Sequence, residues 1–132
     1  VRDTGVTFYS SSWGRAYALT SESAADSILA QATDTVDFTR VIEAAYADGV
    51  RIFVEAGPGA SVSRIVSQVL GDRPHAARSA CVAGPDPLAP LMRVLAMLIS
   101  ERVPVDLSAV IGTDEGQAVR VPLEPAFPPA PL

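Results

Sequence analysis

One segment constrains the fold of this chain more than any other: Arg51-Ile-Phe-Val-Glu-Ala-Gly-Pro-Gly-Ala-Ser-Val-Ser-Arg-Ile-Val66. Ile52, Phe53 and Val54 form an unbroken apolar run, the pattern of a strand buried on both faces, as in parallel sheets. Gly57-Pro58-Gly59 should then turn the chain, because Gly accepts positive φ and Pro fixes its own. Val62, Ile65, Val66 and Val69 follow at the i, i+3, i+4, i+7 spacing of one helix face, and Gly71 is placed to close that helix as its C′ residue. Strand, turn and helix in that order define an α/β unit, and the turn lies where open α/β sheets place their sites.

Composition narrows the classes that can contain such a unit. The chain has 132 residues and a net charge of −5, so it is one domain at most and too acidic for a nucleic-acid surface. It contains no apolar run of bilayer length and no basic-then-apolar leader, which argues against a membrane partner. Cys81 is the single cysteine. It excludes an internal disulfide and a cysteine metal cluster, and points to a reducing, cytoplasmic setting. All ten basic residues are Arg, a bias that goes with a GC-rich bacterial genome by association rather than by physics. The opening Val1, without Met, suggests a piece of a longer polypeptide.

Before the central unit, Val6-Thr-Phe-Tyr9 has the composition of a short strand, and Ser10-Ser-Ser-Trp-Gly14 that of a loop. Thr20 or Ser21 can cap a helix, with Glu22 and Asp26 favourable near its N-terminus. Ala25, Ile28, Leu29 and Ala32 form its expected apolar face. Asp34 or Thr35 should cap a second helix carrying Phe38, Val41, Ile42 and Ala45 on one face and ending at Gly49. After the central unit, residues 75–83 suit a strand around Arg78-Ser-Ala-Cys-Val82, which Gly84-Pro-Asp-Pro87 breaks. Leu88, Leu91, Met92, Leu95, Leu98 and Ile99 mark an amphipathic helix over about 87–101. The segment from Val121 to the end is Pro-rich and extended, a linker that can form neither helix nor interior strand. There is no internal repeat.

These elements, in this order, resemble the C-terminal part of malonyl-CoA:acyl-carrier-protein transacylases, the acyltransferase domains of fatty acid and polyketide synthases. The family pattern runs from an amide residue through Pro-Val-x-[Phe/Trp] and a helix ending in Gly-Val to Phe-Val-Glu-x-Gly-Pro. Here the amide is Gln31, then come Val36-Asp-Phe38, Val41-Ile-Glu-Ala-Ala-Tyr-Ala-Asp-Gly-Val50 and Phe53-Val-Glu-Ala-Gly-Pro-Gly59. Thr35 replaces the usual Pro, a mild departure because a helix start accepts either. Val103-Pro-Val-Asp-Leu107 is similar to the family's Gly-Val-x-Val-Asp continuation. Val121-Pro-Leu-Glu-Pro-Ala-Phe127 is similar to the linker that follows the domain, without its Tyr. Gly59-Ala-Ser-Val-Ser-Arg64 is nearer the pattern of polyunsaturated-fatty-acid-type iterative synthases than that of modular ones.

The resemblance implies an α/β fold: a fragment of an α/β-hydrolase-like acyltransferase core, parallel strands with flanking helices, followed by an extended Pro-rich linker. Residues 1–84 would be the C-terminal portion of the acyltransferase domain, and 85–132 the helix and linker after it. The whole domain would carry a malonyl-type acyl group from coenzyme A to a Ser, then to the phosphopantetheine thiol of an acyl carrier protein. Its partners would be the remainder of the acyltransferase domain and the neighbouring ketosynthase and carrier-protein domains. No cofactor would be bound by this chain. The family's Ser elbow, Gly-His-Ser-x-Gly, and its His, in a Phe-His motif, are both absent here, so the chain alone should be inactive as a transferase. The alternative from another class is a non-catalytic structural or docking module of a synthase.

Gln31 is the residue carried over from the family. Its main-chain carbonyl would accept a hydrogen bond from the catalytic His, the orienting role that Asp plays in a Ser-His-Asp triad; a plain helix-terminal Gln facing water is the simpler reading of the residue. Gly57-Pro58-Gly59 has no Lys, Gly-x-Gly-x-x-Gly or Walker pattern around it, so a structural turn is favoured over a phosphate cradle. Glu55 is expected to be a structural carboxylate bound to nearby backbone or Arg. His75, the single histidine, should be a surface loop residue, and Cys81 a small buried hydrophobe. Trp13 is a candidate for the acyl or carrier-protein side of the domain.

Overall fold

The computed structural model describes residues 5–111. The Pro-rich segment expected to be a linker lies outside them. The element order is β1 (Phe8–Ser10), β2 (Arg15–Tyr17), α1 (Ser21–Thr33), α2 (Phe38–Ala47), β3 (Ile52–Pro58), α3 (Ser61–Leu70), β4 (Ala76–Cys81), α4 (Leu88–Ser100) and α5 (Ser108–Ile111). β1 and β2 form an antiparallel hairpin, and β3 and β4 a parallel pair joined through α3. The fold is mixed α/β, with a small parallel sheet and flanking helices.

The core lies where α2, α3 and the parallel strands meet. Ile42, Val66 and Leu70 are its buried residues, with Val41, Tyr46, Phe53, Val62, Ile65, Val69 and Ala77 packed around them. These include most of the positions picked out by helical spacing on α2 and α3. Two ends differ from expectation. α2 begins at Phe38, with the Asp37 side chain accepting from the Arg40 N–H at 3.0 Å, rather than being capped by Asp34 or Thr35. β3 runs through Gly57 to Pro58, which pairs with Cys81 after a shift of register beyond Glu55; the bend that follows is Gly59, at φ +89°, and Ala60. Pro can stand in the strand because it comes at its end.

The expectation of a strand buried on both faces also needs correction. Phe53 enters the core, whereas Val54, pointing to the other face, is 46% exposed. Arg15–Tyr17, read as neither strand nor loop from the sequence, completes the hairpin. The intervening residues turn tightly, with the Gly14 N–H donating to the Ser10 carbonyl at 2.8 Å.

The hairpin lies along α2. Its turn meets the helix start, where the Asp37 N–H donates to the Ser11 carbonyl at 2.9 Å. Tyr9 Oη–H donates to Asp48 Oδ2 at 2.7 Å at the other end. Trp13 packs edge-on against Tyr17, with ring centres 5.4 Å apart.

Two helices depart from the burial expected, α1 wholly and α4 in part. α1 starts as anticipated, with Thr20 and Ser23 forming a reciprocal cap. Yet Ala25, Ile28, Leu29 and Ala32 all face outward, and Ser27 and Ala30 are the buried residues. Ser27 Oγ–H donates to Ser10 Oγ at 2.9 Å, tying α1 to the hairpin through small side chains. On α4 the buried residues are Pro90, Val94 and Met97, Leu95 and Leu98 of the expected face are half-buried, and Leu88, Leu91, Met92 and Ile99 are exposed. The stripe of α1 and the exposed part of that of α4 mark surface that favours cover, and nothing among the described residues covers it.

Candidate functional site

The end of β3 and the start of α3 are closed by one side chain. Glu55 accepts from the Val62 N–H at 3.2 Å, the Ser63 N–H at 2.8 Å and Ser63 Oγ–H at 2.7 Å. Ala60 precedes the helix and provides no side-chain cap, so a carboxylate from the strand serves the first-turn N–H groups instead. Hydrogen bonds from Ser63, side chain then backbone, hold the Glu55 carboxyl below its ordinary range against the opposing effect of desolvation. Glu55 is therefore the structural carboxylate expected, and it occupies the place a phosphate would need. Ser79 Oγ–H donates to the Gly59 carbonyl, and the Gly59 N–H donates to the Cys81 carbonyl at 2.7 Å, fixing the turn to β4.

Gln31 lies in the last turn of α1 and is exposed. The carbonyls of that turn have no donors within the helix. The Asp34 N–H is donated to Ala30, at 2.8 Å, one carbonyl before that of Gln31. The outward stripe of Ile28 and Leu29, 70% and 62% exposed, precedes Gln31 on the same helix.

His75 stands between Pro74 and the start of β4. Its Nδ1 is 2.7 Å from the Arg73 carbonyl oxygen and its Nε2 3.3 Å from Ser67 Oγ. Ser67 belongs to a shallow depression of about 390 Å³ that Ser63, Arg64, Gln68 and Ala77 also line. The loop position of His75 was legible, but its Ser partner was not: eight residues and a helix end separate the two. Cys81, expected to be buried, is exposed, because β4 ends at that residue.

A third cluster surrounds Tyr46. The Arg51 guanidinium lies 3.7 Å and that of Arg73 5.0 Å from the ring centre. Arg73 also makes a two-bond pair with Glu43, at 2.8 and 2.6 Å, which lowers the Glu43 carboxyl and raises the guanidinium. This cluster stacks α2 on the turn after α3 and carries no reactive group. Among the described residues, no group of His, Cys, Asp and Glu could hold a metal ion, and no helix is long and apolar enough to cross a membrane. Comparison with protein-family models, with curated proteins and with solved structures finds no match to this chain.

Proposed function

We propose that this chain is the C-terminal portion of an acyltransferase domain that loads malonyl-type groups from coenzyme A onto an acyl carrier protein, in a bacterial multidomain polyketide or fatty acid synthase. The Gln31 carbonyl would orient the catalytic His, which, like the nucleophilic Ser, would come from outside this chain. The observation that carries this reading is the outward apolar stripe of α1, with Gln31 one turn beyond Ile28. A helix that shows its apolar face to water is built to be covered, and the element covering it would bring a donor to that helix end. The β3–α3 unit supports the same reading, since Phe53-Val-Glu-Ala-Gly-Pro forms a parallel strand whose Glu55 secures the next helix. A trough of about 250 Å³ beside β3, lined by Phe53, Val54, Val62 and Val66, leaves room for a further element.

The test is intact-mass labelling with malonyl-CoA, on this chain and on the chain extended upstream through a Gly-x-Ser-x-Gly elbow. A malonyl adduct mapped to the elbow Ser of the longer protein supports the proposal. No adduct on either, with the short chain folded, favours the second reading, a non-catalytic structural module of a synthase, which the exposed Leu88, Leu91, Met92 and Ile99 of α4 also suit. In the active longer protein, Gln31→Ala should keep kcat/KM within about twofold, because the proposed acceptor is main chain.

A further inference from the structure

The Ser67–His75 pair is not used by the acyltransferase proposal. A carbonyl oxygen only accepts, so the 2.7 Å contact with the Arg73 carbonyl places the ring proton on Nδ1. In the neutral ring Nε2 is then an acceptor, and it faces the Ser67 hydroxyl at 3.3 Å. Nucleophile, base and orienting acceptor stand in the order that Ser–His catalysis requires, at the looser spacing common before substrate arrives.

The fold holds both residues. Ser67 is on α3, which is anchored by Val66 and Leu70, each 2% exposed. His75 is held between Pro74 and the first paired residue of β4, Ala76. Ser67 is exposed and the depression around it is open to small molecules. Arg64 and Gln68 line the same depression; the Arg64 Nε–H is committed to the Ala60 carbonyl at 3.3 Å, so the donors available for a developing oxyanion are the terminal guanidinium N–H groups and the Gln68 amide. Ser63, one turn earlier, is not equivalent, because its hydroxyl is committed to Glu55 at 2.7 Å.

We propose that Ser67 and His75 form a nucleophile–base dyad that takes short acyl groups from activated esters. Ser67 Oγ attacks the ester carbonyl carbon while its proton passes to His75 Nε2. The bond from that carbon to the leaving oxygen breaks, and His75 returns the proton to the leaving oxygen. Ser67 is left as an ester. Water then loses a proton to His75 Nε2 and bonds to the acyl carbon; the bond from that carbon to Ser67 Oγ breaks, His75 returns the proton to Oγ, and the carboxylic acid leaves.

The test uses the full 132-residue chain with p-nitrophenyl acetate for turnover and a fluorophosphonate probe for a stable adduct, mapped by peptide mass spectrometry. The expected result is one adduct on Ser67, abolished in Ser67→Ala and unchanged in Ser21→Ala, on the exposed start of α1 away from the depression. His75→Asn, which can keep a donor towards the Arg73 carbonyl but has no base, should label and turn over about a hundredfold more slowly. Circular dichroism confirms that each variant retains its helices, and urea-unfolded protein sets the background rate. Labelling no faster than that background, an adduct elsewhere, or equal rates in His75→Asn would overturn the proposal.

Discussion

Glu55 shows how much one carboxylate can organise. Sitting on β3, it satisfies N–H groups that a capping residue just before α3 would normally serve, and so couples strand and helix. Removing it in Glu55→Ala should cost about 1 kcal/mol, the usual scale for a lost cap. The sign of its pH dependence follows from its lowered carboxyl. Its contribution is complete above the ordinary value of 4.5 and fades as pH falls through the lower folded value. The melting temperature should therefore fall as the pH drops below the ordinary carboxylate range, and Glu55→Gln should flatten part of that fall. Gly14 carries a different constraint. At φ +61°, a Cβ placed there would come 2.6 Å from Arg40 Cβ, an atom close to the backbone that cannot swing away. Gly14→Ala should destabilise by about 1–3 kcal/mol, read from a urea midpoint.

At the scale of elements, α1 and α3 have similar apolar residues and different surroundings. Leu70 on α3 is 2% exposed, while Ile28 on α1 is 70% exposed. Leu70→Ala should therefore cost about 3 kcal/mol. Ile28→Ala should change stability by less than about 0.5 kcal/mol in the isolated chain. The two urea midpoints measured side by side test whether α1 has the orientation described. A large loss at Ile28 would mean that the stripe is covered. Both helices were legible in outline, because their 3.6-residue period and the Thr20 cap are local properties of the chain. The face each one buries was legible only for α3, whose neighbours β3 and β4 lie within a few residues of it in the sequence.

Across the whole molecule, the parallel sheet has only two strands among the described residues, although such sheets are normally covered on both faces. With Val54, Ile28, Leu29, Leu88 and Met92 also exposed, the chain should associate when isolated. Sedimentation velocity should show a weight-average coefficient that rises with concentration, and Ile28→Ser with Leu29→Ser should reduce the rise. A monomer at every concentration, with a cooperative melt, would show that these faces need no cover and would weaken the case for a larger parent domain.

What the sequence by itself determined was local: the strand–turn–helix unit around Glu55, the start of α1 at Thr20 or Ser21, the spacing of Val62, Ile65 and Val66, and the strand that contains Cys81. Each depends on residues within a turn or two of one another, where period, capping and the φ range of Gly and Pro act directly. Tertiary structure alone decided which stripe of α1 and α4 faces inward, which N–H groups Glu55 serves, that Cys81 is exposed, and that Ser67 meets His75. Those outcomes depend on which elements are present to pack together and on approaches between groups brought close only by folding, and no local pattern encodes them.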